Sequence, residues 1–350
     1  MSGLQPFIDK FSTKLKSVPV KNISIEKYPV DYLRWLINNH YYYIHIYVHV
    51  LQKVLENTRL RKEDIILIDY GAGNGLLGLF AKFCGFKEVY LVDISPPFLT
   101  AARNLAANME IAVEGILEGD ITALQDFFVG KQRPHAIAGT DVIEHIYDLG
   151  HFFATIKNMN TDIITVFTTG SVTANPVKTH HLKKLQYRDE YIDSNPEHSQ
   201  QGNQYAGISF LEIRRRMIFK QYPQLNISQA ESLARLTRGL VRRDIMKAVD
   251  LFLQNGTMPV LLTHSTNTVD PVTGSWTERL LTTKEYHVIY TGAGFSLKIY
   301  NGFYNQWKRG MKPLFLKVVN KSIGILQKKG RWMVPFITLV GKGTKHHIPE

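Results

Sequence analysis

The 350-residue sequence holds a single cysteine, Cys84, so no disulfide can form within the chain, and no group of Cys and His residues has the spacing of a structural zinc site. Nowhere does it run through the roughly 18 uncharged apolar residues that a membrane-spanning helix requires. The nearest approach, WLINNHYYYIHIYVHVL from Trp35 to Leu51, is diluted by Asn and His. The opening residues, MSGLQPFIDKFSTKLKS, lack the continuous apolar core and small-residue cleavage site of a secretory signal. With the lone cysteine, this points to reducing, cytoplasmic surroundings. Internal repeats and low-complexity tracts are missing too. So are acidic residues from Tyr286 through His347, although Lys298, Lys308, Arg309, Lys312, Lys317, Lys321, Lys328, Lys329, Arg331, Lys342 and Lys345 all lie there. Most of the formal charge of +12 therefore sits in the C-terminal fifth, and the rest of the chain is nearly neutral.

What remains is a globular composition, 44% hydrophobic, enough to bury a large core. Residues 31–57 contain the alternating IHIYVHV, but the run has no Gly or Pro and reads as a helix. A regular rhythm follows. Short apolar strands are expected at IILID (65–69), VYLVD (89–93), HAIAGTD (135–141) and DIITVFTT (162–169), separated by helical stretches; one of these starts at Ser95-Pro96-Pro97, with Ser as N-cap. Residues 171–280 break the rhythm with a polar, mostly helical pattern. It returns at Thr282, where T-x-x-E reads as a capping box, and FSLKIYNGFY and WMVPFITLVGKG supply two more strands. Such alternation means an α/β, doubly wound, Rossmann-like and mostly parallel sheet with a large helical insertion after the fifth strand. Residues 1–60 are expected as a helical cover, 61–170 with 281–345 as the ligand-binding domain, and 171–280 as an inserted cap.

The turn after the first strand, DYGAGNGLLG, matches two nucleotide-binding patterns in overlapping registers. From Gly73 it is G-x-G-x-x-G, which cradles dinucleotide pyrophosphates; from Asp69 it is acid-x-G-x-G-x-G, found in enzymes that bind S-adenosylmethionine. The strand-end residue separates them. A carboxylate at Asp69 would repel a pyrophosphate but favours the ammonium and sulfonium of S-adenosylmethionine. Asp93, ending the second strand, suits ribose hydroxyls of either ligand. Asp120, in EGDI, suits an adenine amino group.

These stretches resemble the class I S-adenosylmethionine-dependent methyltransferases, particularly the branch of ubiquinone-biosynthesis O-methyltransferases. LIDYGAGNGLLGLFAKFCG, VYLVDISPPFLTAARN, EGDI and DVIEHIYD are similar to four successive motifs of that family, in order and at suitable spacings. The resemblance runs from about 64 to 170, is weaker from 280 to 342, and is absent from the insertion. It implies S-adenosylmethionine as cofactor, with Asp69, Gly71, Gly73 and Gly75 around the methionine part, Asp93 and Ile94 at the ribose, Asp120 and Ile121 at the adenine, and Asp141 completing the set.

Methyl transfer from a sulfonium needs an oriented acceptor and, for a hydroxyl, a base. Asp141 and His145 in DVIEH, and His264 in HSTNTVDP after an apolar run, are the candidates. In the ubiquinone branch an acidic-x-x-Glu-His stretch is associated with a metal ion; here Glu144 and His145 serve equally well to brace a helix start, and no metal is expected. His180 and His181, beside lysines, and the runs Arg214-Arg215-Arg216 and Arg242-Arg243 read as solvated faces, or as a clamp for an acidic acceptor. The acceptor is expected to be a small molecule, lipid or glycan. A nucleic-acid methyltransferase is the competing enzyme class, supported by basicity but lacking the D/N-P-P-aromatic tetrapeptide and any separate nucleic-acid module. A non-catalytic cofactor-binding scaffold is the third. For residues 307–332 two readings stand: an interfacial helix on an anionic membrane, or a helix with its apolar side on the sheet and its lysines in water. Oligomeric state is not legible.

Overall fold

The computed structural model describes residues 3–193, 207–260, 264, 266–305 and 313–344. The chain forms two units: Met1–Ile143 with Asp148–Gly170 and Thr283–Glu350, and Glu144–Tyr147 with Ser171–Thr282.

The first unit opens with helices α1 (Phe7–Lys16), α2 (Lys27–Asn38) and α3 (His40–Thr58). Residues 40–58 are helical despite IHIYVHV because Tyr43, Ile46, Tyr47, Val50, Leu51 and Val54, spaced three and four apart, all enter the core. Asn39 separates α2 from α3 and bonds the Trp35 carbonyl through Nδ2 at 2.8 Å. Then β1 (Ile66–Tyr70), α4 (Leu76–Phe83), β2 (Glu88–Asp93), α5 (Pro96–Asn108), β3 (Gly115–Glu118), α6 (Ile121–Phe127), β4 (Ala136–Thr140), α7 (Leu149–Met159) and β5 (Ile164–Thr169) follow. Ser95 does stand at the N-cap of α5, but its side chain makes no capping bond; its amide donates to Asp93 instead.

The second unit holds α8 (Pro176–Tyr191), α9 (Phe210–Gln221), α10 (Ile227–Leu236) and α11 (Arg242–Asn255). It has its own core of Ile218, Leu233, Ala234, Ile245 and Val249, among others, and α10 begins with a capping box between Asn226 and Gln229. Val172 and Leu281 pair as a parallel bridge. Helix α8 buries a seam that is mostly polar, Leu182, Gln186 and Glu190, one turn apart. The exposed-face or acceptor-clamp expectation for Arg214 is overturned. Arg214 is 0% exposed and forms a buried ion pair with Glu190, which also accepts from Thr268 Oγ1 at 2.5 Å. Arg215 and Arg216 do face water, paired with Glu212.

Returning to the first unit, α12 (Thr283–Gly292), β6 (Phe295–Asn301), α13 (Pro313–Leu326) and β7 (Ile337–Gly343) complete the chain. The seven strands lie in the order β3-β2-β1-β4-β5-β7-β6. The first five are parallel, and β7 runs antiparallel to both β5 and β6. The expected fold class is the one observed. Every residue of β1 and β5 is buried, which is why their sequences read as continuous runs and do not alternate. Strand order reverses between β1 and β4, the point beyond whose carboxyl ends open sheets of this kind bind ligands. Among the described residues no helix is long and apolar enough to cross a membrane. Cys84 is buried, and burial pushes its thiol up to about 12.

Candidate functional site

Three glycines after β1 hold left-handed backbone that L side chains rarely adopt: Gly71 at φ +67°, Gly73 at +53° and Gly75 at +78°. Each has a different neighbour. A Cβ on Gly71 would lie 2.3 Å from Val142 Cγ2, so the turns after β1 and β4 touch only because nothing is there. One on Gly75 would meet Leu91 at 2.7 Å. One on Gly73 would point into open space, with Phe98 and Tyr32 each 4.0 Å away.

Two carboxylates organise this turn. Asp69 is 2% exposed, and its Oδ2 accepts from the Gly78 amide at 2.8 Å, bracing the first turn of α4 from beneath. Burial raises its carboxyl to about 7, against the lowering effect of the Gly78 bond, and the charge of Asp93 adds to the rise. The folded chain therefore keeps a proton that the unfolded chain releases near pH 4. This contribution to stability is fully present below the unfolded value and lost as pH rises through about 7. Asp69→Asn retains an acceptor for Gly78 and should remove that decline: in thermal melts the variant gains on the parent between pH 5 and pH 8. Melting curves that stay parallel across this window would assign the proton elsewhere.

Asp93 receives two amides, Gly73 at 2.8 Å on Oδ2 and Ser95 at 2.9 Å on Oδ1, and burial raises its pKa. Beside it Ile94 is 66% exposed, an apolar surface at the strand end. Asp120 caps α6, its Oδ1 accepting from Thr122 at 2.9 Å and Ala123 at 3.1 Å, while Ile121 is buried. Asp141 has φ +52° and donates its amide to the Thr168 carbonyl at 3.2 Å. The structure thus gathers Asp69, Gly71, Gly73, Gly75, Asp93, Ile94, Asp120, Ile121 and Asp141 at or just beyond the carboxyl ends of β1 to β4.

The sequence reading missed the aromatic contribution of α2 and α3. The Tyr32 hydroxyl is pushed up by burial first, then by the charge of Asp141, by Tyr28 and by Asp93. Tyr42 is pushed up to about 12 by burial and then Asp141; Tyr43 and Tyr47 also rise through burial, with Asp141 among the lesser causes. Tyr32 stacks on Trp35 with centroids 5.8 Å apart and meets Phe98 edge-on at 5.7 Å. Trp35, Asn38, His40, Tyr42 and Tyr43 are among the residues lining a pocket of about 280 Å³. Asn74, 1% exposed, donates from Nδ2 to the Pro29 carbonyl at 3.2 Å, tying the glycine turn to α2. The only signal for this lining was the tyrosine density of residues 41–47, which the period-two pattern obscured.

The other catalytic candidates belong to the second unit. Residues 143–145 form a 3-10 turn, so Asp141, Glu144 and His145 do not share an α-helical face. Among the described residues no group of three or more His, Cys, Asp or Glu is placed to hold a metal ion. Glu144 is buried. His145 bonds through Nδ1 to the Trp276 carbonyl at 2.8 Å. A carbonyl only accepts, so Nδ1 carries a proton, and in the neutral ring the lone pair is on Nε2, the tautomer a general base needs. His264 accepts the Asn267 amide on its carbonyl at 3.0 Å. His180 and His181 are exposed, and His180 with Lys183, Lys184, Arg188 and Arg238 lines a separate basic pocket of about 400 Å³.

No protein-family model matches the chain. Curated relatives match in part. The ribosomal protein L11 methyltransferase of Psychrobacter sp. (strain PRwf-1) is 32% identical over 97 residues, 27% of this chain and 31% of that protein. The enzyme of the same name from Psychrobacter cryohalolentis is 39% identical over 62 residues, 17% of this chain and 20% of the relative. The chain thus spans about a third or less of the length of these relatives. Among solved structures, the YcgJ protein of Bacillus subtilis aligns over 85% of this chain and 99% of its own at 12% identity and a TM-score of 0.43. An S-adenosylmethionine-dependent methyltransferase from Clostridium acetobutylicum aligns over 85% and 90% at 12% identity and 0.42. With five parallel strands, an antiparallel seventh inserted before the sixth, and a glycine turn at the point of reversal, the chain has a mostly parallel, Rossmann-like α/β fold.

Proposed function

We propose that the protein is an S-adenosylmethionine-dependent methyltransferase acting on an oxygen or nitrogen acceptor. One observation carries the choice of cofactor. The Gly73 amide, a donor that a pyrophosphate would need, is already taken by the Asp93 carboxylate, and a second acid, Asp69, lies beneath the same turn. A phosphate there meets the Asp93 acid; a sulfonium meets that carboxylate and aromatic faces, which attract cations. The open space over Gly73, with the Tyr32–Phe98 pair beside it, and the exposed Ile94 leave room for the methionine and ribose parts of this molecule.

Asp69 and the three glycines would hold the methionine part, Asp93 and Ile94 the ribose, and Asp120 and Ile121 the adenine. When bound, the cofactor supplies a methyl group already activated on sulfur, so the protein needs no nucleophile of its own. Tyr32 and Asp141 would border the reacting end. His145, with Nδ1 committed to Trp276, would accept the acceptor's proton on Nε2, and His264 is the second candidate base. Residues 171–280 would select the acceptor.

A small molecule, lipid or glycan is the first reading of that acceptor, and kinship with the ubiquinone branch, resting on the motif stretches alone, belongs with it. A protein acceptor is the second, favoured by the name the curated relatives share. The expected location is cytoplasmic. Calorimetry should show S-adenosylhomocysteine binding and no response to NADH. Tritiated methyl transfer into fractionated cell extract should label a small or lipid product; label in protein would select the second reading. Tight NADH binding without adenosylhomocysteine binding would sink the proposal.

A further inference from the structure

Neighbouring antiparallel strands can be joined by two residues, yet β6 and β7 are separated by residues 302–336, which contain α13 and the 3-10 segment Gln327–Met333. This excursion is fastened to the sheet edge. Asn320 accepts the Tyr304 amide on Oδ1 at 2.7 Å and donates from Nδ2 to the Tyr304 carbonyl at 2.6 Å, while Asn301 Nδ2 reaches the Gln327 carbonyl at 2.6 Å. Inward, α13 buries Leu316 and Ile323.

At 3.6 residues per turn the opposite pole carries Leu314, Val318 and Ile325, and these are 75%, 57% and 71% exposed. Phe315, Leu326 and Trp332 are exposed as well. The expectation that this apolar side packs on the sheet is therefore not met: the helix is apolar toward water as well as toward the core, where a surface helix is normally polar. Lys317, Lys321, Lys328 and Lys329 are exposed among these residues, and no acid occurs from Tyr286 to His347. Residues 307–312 of the expected segment lie outside the described residues.

We propose that α13 and the 3-10 segment after it dock on the surface of an anionic lipid bilayer. An acidic soluble partner would answer the lysines but not the apolar pole. A second copy would set lysines against lysines. A lipid interface satisfies both, taking apolar side chains at the acyl boundary and cations at the headgroups. The 14-residue helix, about 21 Å long, is too short to span and would lie in the interface plane.

The test is flotation of the full chain with vesicles of phosphatidylcholine alone or mixed with phosphatidylserine. The chain should float with the mixed vesicles only, and less as salt rises. Combined Lys317→Gln, Lys321→Gln, Lys328→Gln and Lys329→Gln should weaken binding on the order of several hundredfold. Val318→Ser with Ile325→Ser should weaken it at least about tenfold, with thermal melts unchanged because all six positions are exposed. Absent or headgroup-indifferent flotation would overturn the proposal, as would a dimer by light scattering that Ile325→Ser disperses. The readout requires no methyl acceptor, so it fails or succeeds independently of the catalytic reading.

Discussion

Gly73→Ala should abolish cofactor binding while barely disturbing the fold. The added methyl meets nothing nearer than Tyr32 and Phe98 at 4.0 Å, so the only structural cost is an L residue held at φ +53°, about 1–2 kcal/mol. For a chain of this size that moves the thermal midpoint by only a few degrees. The same methyl stands where the methionine end of the ligand would lie, and affinity for S-adenosylhomocysteine should fall at least about a hundredfold. Gly71→Ala provides the contrast. There the methyl lies 2.3 Å from Val142, and strain and overpacking together cost several kcal/mol, so stability and binding should fall together. Calorimetry beside thermal melts separates the two. Undiminished affinity in a well-folded Gly73→Ala protein would mean that the ligand does not lie over this turn.

The second large effect is expected inside residues 171–282. Arg214→Met leaves the Glu190 carboxylate buried without its guanidinium, and removal of one partner of such a pair costs about 3–5 kcal/mol. Thr268 and Arg238, the latter 3.9 Å away, cannot replace it. Arg214→Met with Glu190→Leu removes both charges and should recover most of the loss, because replacing a buried ion pair with apolar side chains is often neutral or stabilising. Limited proteolysis is the sensitive readout, with cleavage rising in this unit for the single variant and returning toward the parent for the double. Equal sensitivity of single and double variants would show that the ion pair contributes net stability of its own.

The strands nearest the site were legible because parallel strands covered on both faces must be apolar throughout, and IILID, VYLVD and DIITVFTT could be little else. Strand β3, GILE, was implied by the strand count but not located: three of its residues are only partly buried, Glu118 is exposed, and they present no apolar run. Helix α8 hid its packing for the opposite reason. A search for apolar periodicity cannot find a helix whose inward seam includes Gln186 and Glu190. At the site, the glycines and acids could be located from spacing, but not how the acids are used. Asp69 lies under α4, and Asp93 joins two turns through Gly73 and Ser95. Tyr32, which lies against Phe98 beside the glycine turn, comes from a helix well upstream of that turn in the chain, a separation no local pattern bridges.

The parallel bridge between Val172 and Leu281 brings the two ends of the long excursion side by side. A loop that leaves and rejoins at one spot can be lengthened, trimmed or exchanged without altering the register of any strand. Recombination at that doorway would exchange the whole helical unit while leaving the glycine turn after β1 untouched.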